Sequence, residues 1–148
     1  MTRISWTVLV MLILPLSSLA SGKTSLRTPV EGPVEADLIA VIDGDTLLVE
    51  ARPWPQHSVT VLVRIRGIDA PELKAKCEAA RRAANRAREG LLGLAHGRLR
   101  LTNISGDKYF GRVVADVSTS GADDVGARLL AQGLVRAYDG RRRTAPVC

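Results

Sequence analysis

Five short stretches rich in strand-forming residues and two stretches with helical periodicity lie in a chain of 148 residues, and the longer helical stretch follows the third strand. This pattern predicts an α+β fold: a small five-stranded β-barrel of the OB type, with a long helix after the third strand and a second, shorter helix. Because one fold supports many functions, the pattern alone leaves the activity open.

The first 20 residues have the pattern of a secretory signal peptide. Arg3 gives a positive start, residues 8–16 form an apolar run, and Ser18 and Ala20 place small residues at a cleavage site. The run is shorter than the roughly 20 residues of a comfortable membrane-spanning helix. We therefore expect a secreted or periplasmic protein cleaved after Ala20, and an uncleaved anchor is the alternative.

Residues 21–36 are rich in Ser, Gly, Pro and Thr without a period, which indicates a flexible leader. Residues 37–148 then form one domain that is large enough for a single core, and nothing requires more than a monomer. The formal net charge of +6 favours an anionic partner such as nucleic acid or a membrane surface, although simple solubility also explains it.

Residues 37–50 predict two strands joined at Asp43-Gly44-Asp45. Asp-Gly between apolar runs is a strong hairpin signal. The hairpin explains Asp43 and Gly44 but does not require Asp45, whose carboxylate then lies at a strand end where it can reach a cation. The proline-rich residues 52–58 predict a loop before the third strand.

The third strand, around residues 61–68, carries Arg64 and turns at Gly67. Asp69 and Glu72 follow with the spacing of a capping box, which predicts that the long helix starts here. In the simplest interpretation the two acids are an ordinary helix start and Arg64 is a surface strand residue. In the alternative interpretation the same residues carry chemistry, and the rest of the chain has to decide between the two.

Residues 72–95 predict the long helix, because apolar residues recur at steps of three and four, and Gly97 is placed to end it. The arginines between these positions indicate a solvated face, with contact to nucleic acid as the minor alternative. The apolar stripe consists of Leu73, Cys77, Ala80, Ala84, Ala87, Leu91 and Leu94.

The second half of the domain predicts two more strands and the short helix. Residues 99–104 and 112–117 are strand-like and are separated by a loop. The pair Asp123 and Asp124 is placed to cap the short helix, and Gly133 to stop it.

Three separated blocks of sequence carry a resemblance to a known family. They read VIDGDT at 41–46, VRIRGIDAPE at 63–72 and DKYFGRVVADV at 107–117, and a weaker fourth block reads GLVRAY at 133–138. In order and spacing they resemble the staphylococcal nuclease-like (thermonuclease) family over about residues 36–140. The resemblance implies a calcium-dependent phosphodiesterase on an OB-fold barrel that hydrolyses DNA and RNA.

The resemblance also implies the metal site and the general base. Asp45 and Asp69 match the metal-binding carboxylates of the family, and the backbone carbonyl of Ala70 completes the protein ligands. Glu72 matches the general base that activates water. Oxygen ligands of this type suit one hard cation such as Ca²⁺, and they would equally allow Mg²⁺.

The residues that contact substrate follow from the same resemblance. Arg64 and Arg112 match the two catalytic arginines, whose planar forks can hold phosphate oxygens bidentately as charge develops. Lys108 and Tyr109 match a pair that binds a nucleotide phosphate, and Tyr138 matches a tyrosine near the phosphate.

Phe110 is a departure from the family pattern, because it makes the loop before Arg112 one residue longer. A strand shifted by one residue would turn Arg112 to the wrong face of the barrel. We expect the loop to absorb the extra residue, since residues 112–117 then keep their alternation.

The sequence contains two cysteines, Cys77 and Cys148. An exported protein meets an oxidising compartment, where these two residues could pair and tie the C-terminus to the long helix. Two free thiols are the alternative.

A non-catalytic nucleic-acid-binding OB-fold protein is the main alternative function. Against it, the two metal-site acids, the general base and both arginines occur together. Aromatic residues beyond the first 20 are also few for a stacking platform; they are Trp54, Tyr109, Phe110 and Tyr138. A third possibility is an envelope-associated interaction protein held by an uncleaved signal segment.

Overall fold

The computed structural model describes residues 29–141. In this part of the chain seven strands and two helices follow one another: β1 (Val34–Asp43), β2 (Thr46–Trp54), β3 (His57–Ile65), β4 (Ile68–Asp69), α1 (Glu78–Leu94), β5 (Arg98–Gly106), β6 (Arg112–Thr119), α2 (Val125–Ala131) and β7 (Arg136–Ala137).

Five of the strands form a closed barrel in the order β1-β2-β3-β6-β5. β1 pairs with both β2 and β5, so the sheet closes on itself. The pairs are antiparallel except for β3 and β6, which run parallel. Because parallel neighbours need a crossover connection, α1 and β5 lie between β3 and β6 in the chain. This architecture confirms the predicted α+β barrel of the OB type.

The core fills the barrel from alternate positions of its strands. Leu47 and Val49 of β2 and Leu99 and Leu101 of β5 are fully buried. Both helices pack against the barrel and add buried side chains to the same cluster, namely Ala87 and Leu91 from α1 and Val125 and Leu129 from α2.

The long helix begins later than the sequence predicts. α1 starts at Glu78, with Cys77 as an extended N-cap residue, and it ends at Leu94. The buried stripe is confirmed at Ala80, Ala84, Ala87 and Leu91, and the arginines between these positions are exposed.

The predicted capping box at Asp69 and Glu72 is therefore wrong. Asp69 lies in β4, which pairs with β7, and its carboxylate accepts a hydrogen bond from Arg64. Glu72 lies in the loop that connects β4 to α1. A tertiary ion pair and a short sheet thus take the place of the local helix start.

The hairpin between β1 and β2 is confirmed, with Asp43 paired to Thr46. Gly44 lies so close to α1 that an added Cβ would come within 2.6 Å of the Cβ of Ala87 and 2.8 Å of the Cβ of Ala70. The turn therefore needs glycine because of its packing against the helix.

The loop predicted at residues 52–58 is wrong, because β2 continues to Trp54 and β3 begins at His57. Pro53 falls in an irregular stretch of the β2–β3 pairing, where the ladder is interrupted.

The barrel also begins earlier than predicted. β1 starts at Val34, and Val30 forms an isolated bridge with Ile104, so Val30 and residues 34–36 of the predicted leader pair with the barrel.

The short helix agrees with the prediction. Asp124 caps α2 by accepting a hydrogen bond from the backbone N–H of Ala127 at 2.9 Å. Gly133 follows the helix with a positive φ of 65°.

The predicted signal peptide lies outside the described residues, as does Cys148. Cys77 is not a free thiol. Its pairing with Cys148 stays a prediction. Between residues 29 and 141, neither helix combines the length and the apolar composition that crossing a membrane requires.

Candidate active site

An open cleft of about 1000 Å³ lies against one side of the barrel. Four segments of chain form its walls: the β1–β2 turn, the end of β3 with the loop that follows, the β5–β6 loop, and the residues after β7. The residues that line the cleft include eight with ionisable side chains that the sequence analysis discusses: Asp43, Asp45, Arg64, Glu72, Lys108, Tyr109, Arg112 and Tyr138.

Arg64 joins two carboxylates at one wall of the cleft. Its Nη1 donates to Oδ1 of Asp45 at 2.8 Å, and its Nη2 donates to Oδ1 of Asp69 at 2.9 Å and to the carbonyl of Ile68 at 3.2 Å. Burial alone would lower the pKa of the Arg64 guanidinium, but the charges and hydrogen bonds of Asp45 and Asp69 outweigh it, so the pKa is raised. Arg64 therefore stays charged although it is buried.

Asp45 is held in place by the chain around it. Its Oδ2 accepts a hydrogen bond from the backbone N–H of Ala70 at 2.9 Å, and its Oδ1 accepts one from the Thr46 hydroxyl at 2.9 Å. These bonds orient the carboxylate at the strand end, where the sequence places it.

Asp43 adds a third carboxylate to this wall. Its Oδ1 accepts a hydrogen bond from the backbone N–H of Asp45 at 3.1 Å. Burial raises the pKa of the Asp43 carboxyl, and the charge of Asp45 raises it further. The carboxylates of Asp45 and Asp69 thus pair with the guanidinium of Arg64, and that of Asp43 lies next to Asp45.

This charge balance and the oxygen donors fit a hard divalent cation. Asp45, Asp69 and the backbone N–H of Ala70 are close together in the structure, as the hydrogen bonds of Asp45 and Arg64 show. Among residues 29–141, no three Asp, Glu, His or Cys side chains are grouped so that they alone would hold a metal. A cation here would therefore need backbone, water or phosphate oxygens to complete its ligands.

Arg112 reaches the same cleft from β6. In the parallel pairing Arg112 lies opposite Leu62 and Val114 lies opposite Arg64. Since side chains alternate along a strand, Arg112 and Arg64 are on the same face of the sheet. The extra residue Phe110 is absorbed in the loop, as predicted, and the strand is not shifted.

Asp107 fixes the orientation of Arg112. Its Oδ2 accepts a hydrogen bond from Nε of Arg112 at 2.5 Å, and its Oδ1 accepts one from the backbone N–H of Lys108 at 2.6 Å. Burial alone would raise the pKa of the Asp107 carboxyl, but these hydrogen bonds and the charges of Arg112 and Arg64 outweigh it and lower the pKa.

Tyr109 and Tyr138 each lie beside a cation. The Tyr109 ring centroid is 5.0 Å from Nζ of Lys108 and 4.8 Å from Cζ of Arg112, and the Tyr138 ring centroid is 5.7 Å from Cζ of Arg64. The structure therefore brings the predicted phosphate-binding residues to the same cleft as both arginines.

Glu72 lies in the β4–α1 loop, exposed at the edge of the cleft. Because it is not at a helix N-terminus, the favourable effect of a helix dipole on its charge, which the capping box would supply, does not apply.

The sequence analysis gives no role to Asp107 and explains Asp43 by the turn alone. The only sequence signal for Asp107 is its place at the start of a loop, five residues before Arg112. The two side chains come into contact only when the loop closes. The signal for Asp43 is its position two residues before another acid that faces a cation.

A family model described as staphylococcal nuclease homologue matches residues 62–146, which is more than half of the chain. The chain belongs to the staphylococcal nuclease homologue family. Membership indicates a nuclease, which acts on nucleic acid, and it confirms the resemblance found in the sequence. No curated protein matches the chain.

The match to the staphylococcal nuclease homologue model includes the end of β3, with Arg64, and all of β6, with Arg112. It begins after the β1–β2 turn, so Asp43 and Asp45 lie outside the matched residues. For Asp45 the structure supplies the link, because Asp45 forms an ion pair with Arg64 of the matched part, and Asp43 in turn accepts a hydrogen bond from the backbone of Asp45.

Proposed function

We propose that the chain is a secreted or periplasmic, metal-dependent nuclease that hydrolyses phosphodiester bonds of DNA and RNA. One observation carries the proposal: Asp45, Glu72, Arg64 and Arg112 come from separate segments of the chain and line one cleft. All of these residues belong to a single chain, so a monomer is sufficient.

The two arginines bind the phosphate and stabilise the transition state. A phosphodiester is already anionic. Attack by water increases the negative charge on its non-bridging oxygens. Guanidinium groups donate to such oxygens in pairs and bind more strongly as the charge grows. A guanidinium has five N–H donors, so the bonds of Arg64 to Asp45 and Asp69 are compatible with a further bond to phosphate.

Glu72 orients the attacking water and accepts its proton. The water oxygen forms a bond to phosphorus while the bond from phosphorus to the leaving oxygen breaks, and the leaving oxygen takes a proton from solvent. General base catalysis of this kind contributes about 10² to 10⁴ in rate. Lys108 and Tyr109 hold a neighbouring phosphate and so keep the substrate in register.

Asp45, Asp69 and the carbonyl of Ala70 are the residues that would hold the metal ion. When bound, a hard cation polarises the phosphate and lowers the pKa of a water ligand. The family resemblance favours Ca²⁺, and the oxygen ligands also accept Mg²⁺.

Cleavage of single-stranded DNA by the purified protein tests this function, with calcium, with magnesium and with chelator. We expect metal-dependent cleavage that falls by orders of magnitude in Glu72→Gln and in Arg64→Ala. Glu78→Gln is the matched control, since Glu78 is an exposed glutamate in the first turn of α1 and does not line the cleft. A folded wild-type protein that binds nucleic acid in a salt-dependent way but cuts under no metal would instead be a non-catalytic binding protein.

Export is tested separately. N-terminal sequencing of the protein recovered outside the cytoplasm should begin at Ser21, after cleavage at Ala20. Recovery of the intact N-terminus in a membrane fraction would show an uncleaved anchor.

A further inference from the structure

Phe110 is the most exposed large apolar side chain between residues 29 and 141, at 108 % of its reference surface. A ring with this exposure adds nothing to the core, and it leaves a large apolar surface in water. Stability of the fold therefore does not explain a phenylalanine at this position.

The loop that carries Phe110 is closed and anchored. The backbone N–H of Asp107 donates to the carbonyl of Arg112 at 3.2 Å, and the backbone N–H of Arg112 donates to the carbonyl of Tyr109 at 3.3 Å. Gly111 has a positive φ of 79°, which turns the chain back into β6. Phe110 thus lies in a closed turn, directly after Tyr109, which lines the cleft.

Two cations, Lys108 and Arg112, lie two residues before and two residues after Phe110. Lys108 and Arg112 lie at 5.0 and 4.8 Å from the ring of Tyr109, which lines the cleft, and Tyr109 precedes Phe110 in the chain. In the proposed function Lys108 and Tyr109 hold the phosphate next to the cleaved one, so a base attached to that phosphate would lie near this loop. An aromatic ring offers a stacking face to any base, whatever its identity.

We propose that Phe110 stacks on an unpaired base of the substrate and makes the enzyme prefer single-stranded over double-stranded nucleic acid. The inference rests on the proposed nuclease function and adds a specificity to it. Both faces of a base inside a duplex are covered by its neighbours, so an external ring gains little from paired bases. One stacked base typically corresponds to roughly 5-fold or more in affinity.

Binding of a short labelled oligonucleotide tests the proposal, as a single strand and as a duplex of the same sequence. The protein is the full chain carrying Glu72→Gln, with calcium present and salt fixed, and a gel confirms that the oligonucleotides stay intact. Phe110→Ala should weaken binding of the single strand about 5-fold or more and leave duplex binding nearly unchanged. Phe110→Trp should keep the preference, and Phe110→Leu should behave like Phe110→Ala, because leucine is apolar but has no ring.

Trp54→Ala is the matched control. Trp54 is an exposed aromatic side chain on the β2–β3 hairpin and does not line the cleft. Its replacement should leave both affinities unchanged. Equal losses in Trp54→Ala and Phe110→Ala would overturn the proposal, as would restoration of the single-strand preference by Phe110→Leu.

Cleavage by the wild-type protein separates this inference from the proposed function. If the wild type cuts and Phe110→Ala does not change the ratio of single-strand to duplex binding, only the stacking role is overturned. If the wild type neither cuts nor binds, the nuclease function fails and the stacking role fails with it.

Discussion

Nη1 of Arg64 donates to Oδ1 of Asp45 at 2.8 Å, and both side chains are almost fully buried, with 10 % and 4 % of their surfaces exposed. The same guanidinium also pairs with Asp69 at 2.9 Å. One arginine therefore compensates two carboxylates that come from different parts of the chain. The site and the stability of the barrel depend on the same contacts.

Arg64→Ala is expected to reduce cleavage by orders of magnitude and to destabilise the fold. Removing one partner of a buried ion pair leaves an uncompensated charge, which costs about 3–5 kcal/mol. Arg64→Lys should restore part of the stability but little of the cleavage, because an ammonium group lacks the planar fork. Denaturant unfolding and cleavage assays on the same preparations measure both.

Arg98→Ala is the control for Arg64, since Arg98 is exposed on β5 and its nearest carboxylate, that of Glu35, is 3.8 Å away. Its removal should change the free energy of unfolding by less than about 1 kcal/mol. Full cleavage activity in Arg64→Lys would show that the fork geometry is not needed.

Glu72→Gln is expected to lower the cleavage rate by about 10² to 10⁴ and to leave the fold intact. Glu72 is exposed in a loop, so the loss of its charge should not disturb the core. Single-turnover cleavage and a thermal melt measure the two effects. A variant that melts like wild type and still cuts at the wild-type rate would remove Glu72 from the mechanism.

Calcium is expected to stabilise the wild-type fold. A ligand at 100 times its Kd adds about 2.7 kcal/mol to the free energy of unfolding, and chelator should reverse this. Asp69→Asn should lose most of the effect, while Asp123→Asn, a change of an exposed acid outside the cleft, should keep it. A melting temperature that does not respond to calcium or magnesium would argue against a metal at these carboxylates.

The pair formed by Asp107 and Arg112 predicts a pH-dependent contribution to stability. The pKa of Asp107 is lowered in the folded protein, chiefly because hydrogen bonds from Arg112 and the backbone of Lys108 outweigh its burial. The contribution is thus present above the carboxyl pKa of the unfolded chain and is lost as the pH falls through the folded value.

Asp107→Asn should therefore destabilise the protein by about 1 kcal/mol at pH 7 and by less at pH 3. Urea unfolding at both pH values measures the difference. Asp37→Asn is the control, because Asp37 pairs with Arg52 on the open surface, where solvent screens the charges. A loss in Asp107→Asn that is the same at both pH values would show that its charge is not responsible.

Gly44→Ala is expected to destabilise the fold by about 1–3 kcal/mol, because the added methyl group would overlap Ala87 of α1 and Ala70. Gly93→Ala is the control, because Gly93 lies in α1 itself and an added Cβ there meets nothing within 4 Å. It should stabilise α1 by about 0.5–1 kcal/mol. Thermal unfolding of both variants checks the contrast, and a neutral Gly44→Ala would mean that the turn can move away from α1.

The parts of the fold that local patterns specify were predictable from the sequence. The alternation in β6 and the Asp-Gly turn at Asp43 and Gly44 act over a few residues, and the structure has them where the sequence places them. The start of α1 was not predictable, because Asp69 pairs with Arg64 across the turn at Gly67 and its strand β4 pairs with the distant β7, and both compete with local capping.

The same distinction holds for the site. Its residues could be identified from blocks of sequence, and the structure brings Arg64 and Arg112 to one cleft. The contacts among the site residues could not be identified from the sequence. The pair of Asp107 and Arg112, for example, exists only once the β5–β6 loop has closed. Side-chain pairs across a closed barrel depend on register, which the sequence does not state.

The parallel pairing of β3 with β6 has a consequence for the chain while it is being made. Val63 is paired to Val113 and Arg64 to Val114, so the two arginines meet only after residues some fifty positions apart have been synthesised and the barrel has closed around them. A nascent chain that ends before β6 contains Arg64 and both acids but not the second arginine. A product of translation that stops before β6 is thus expected to lack the proposed hydrolytic activity.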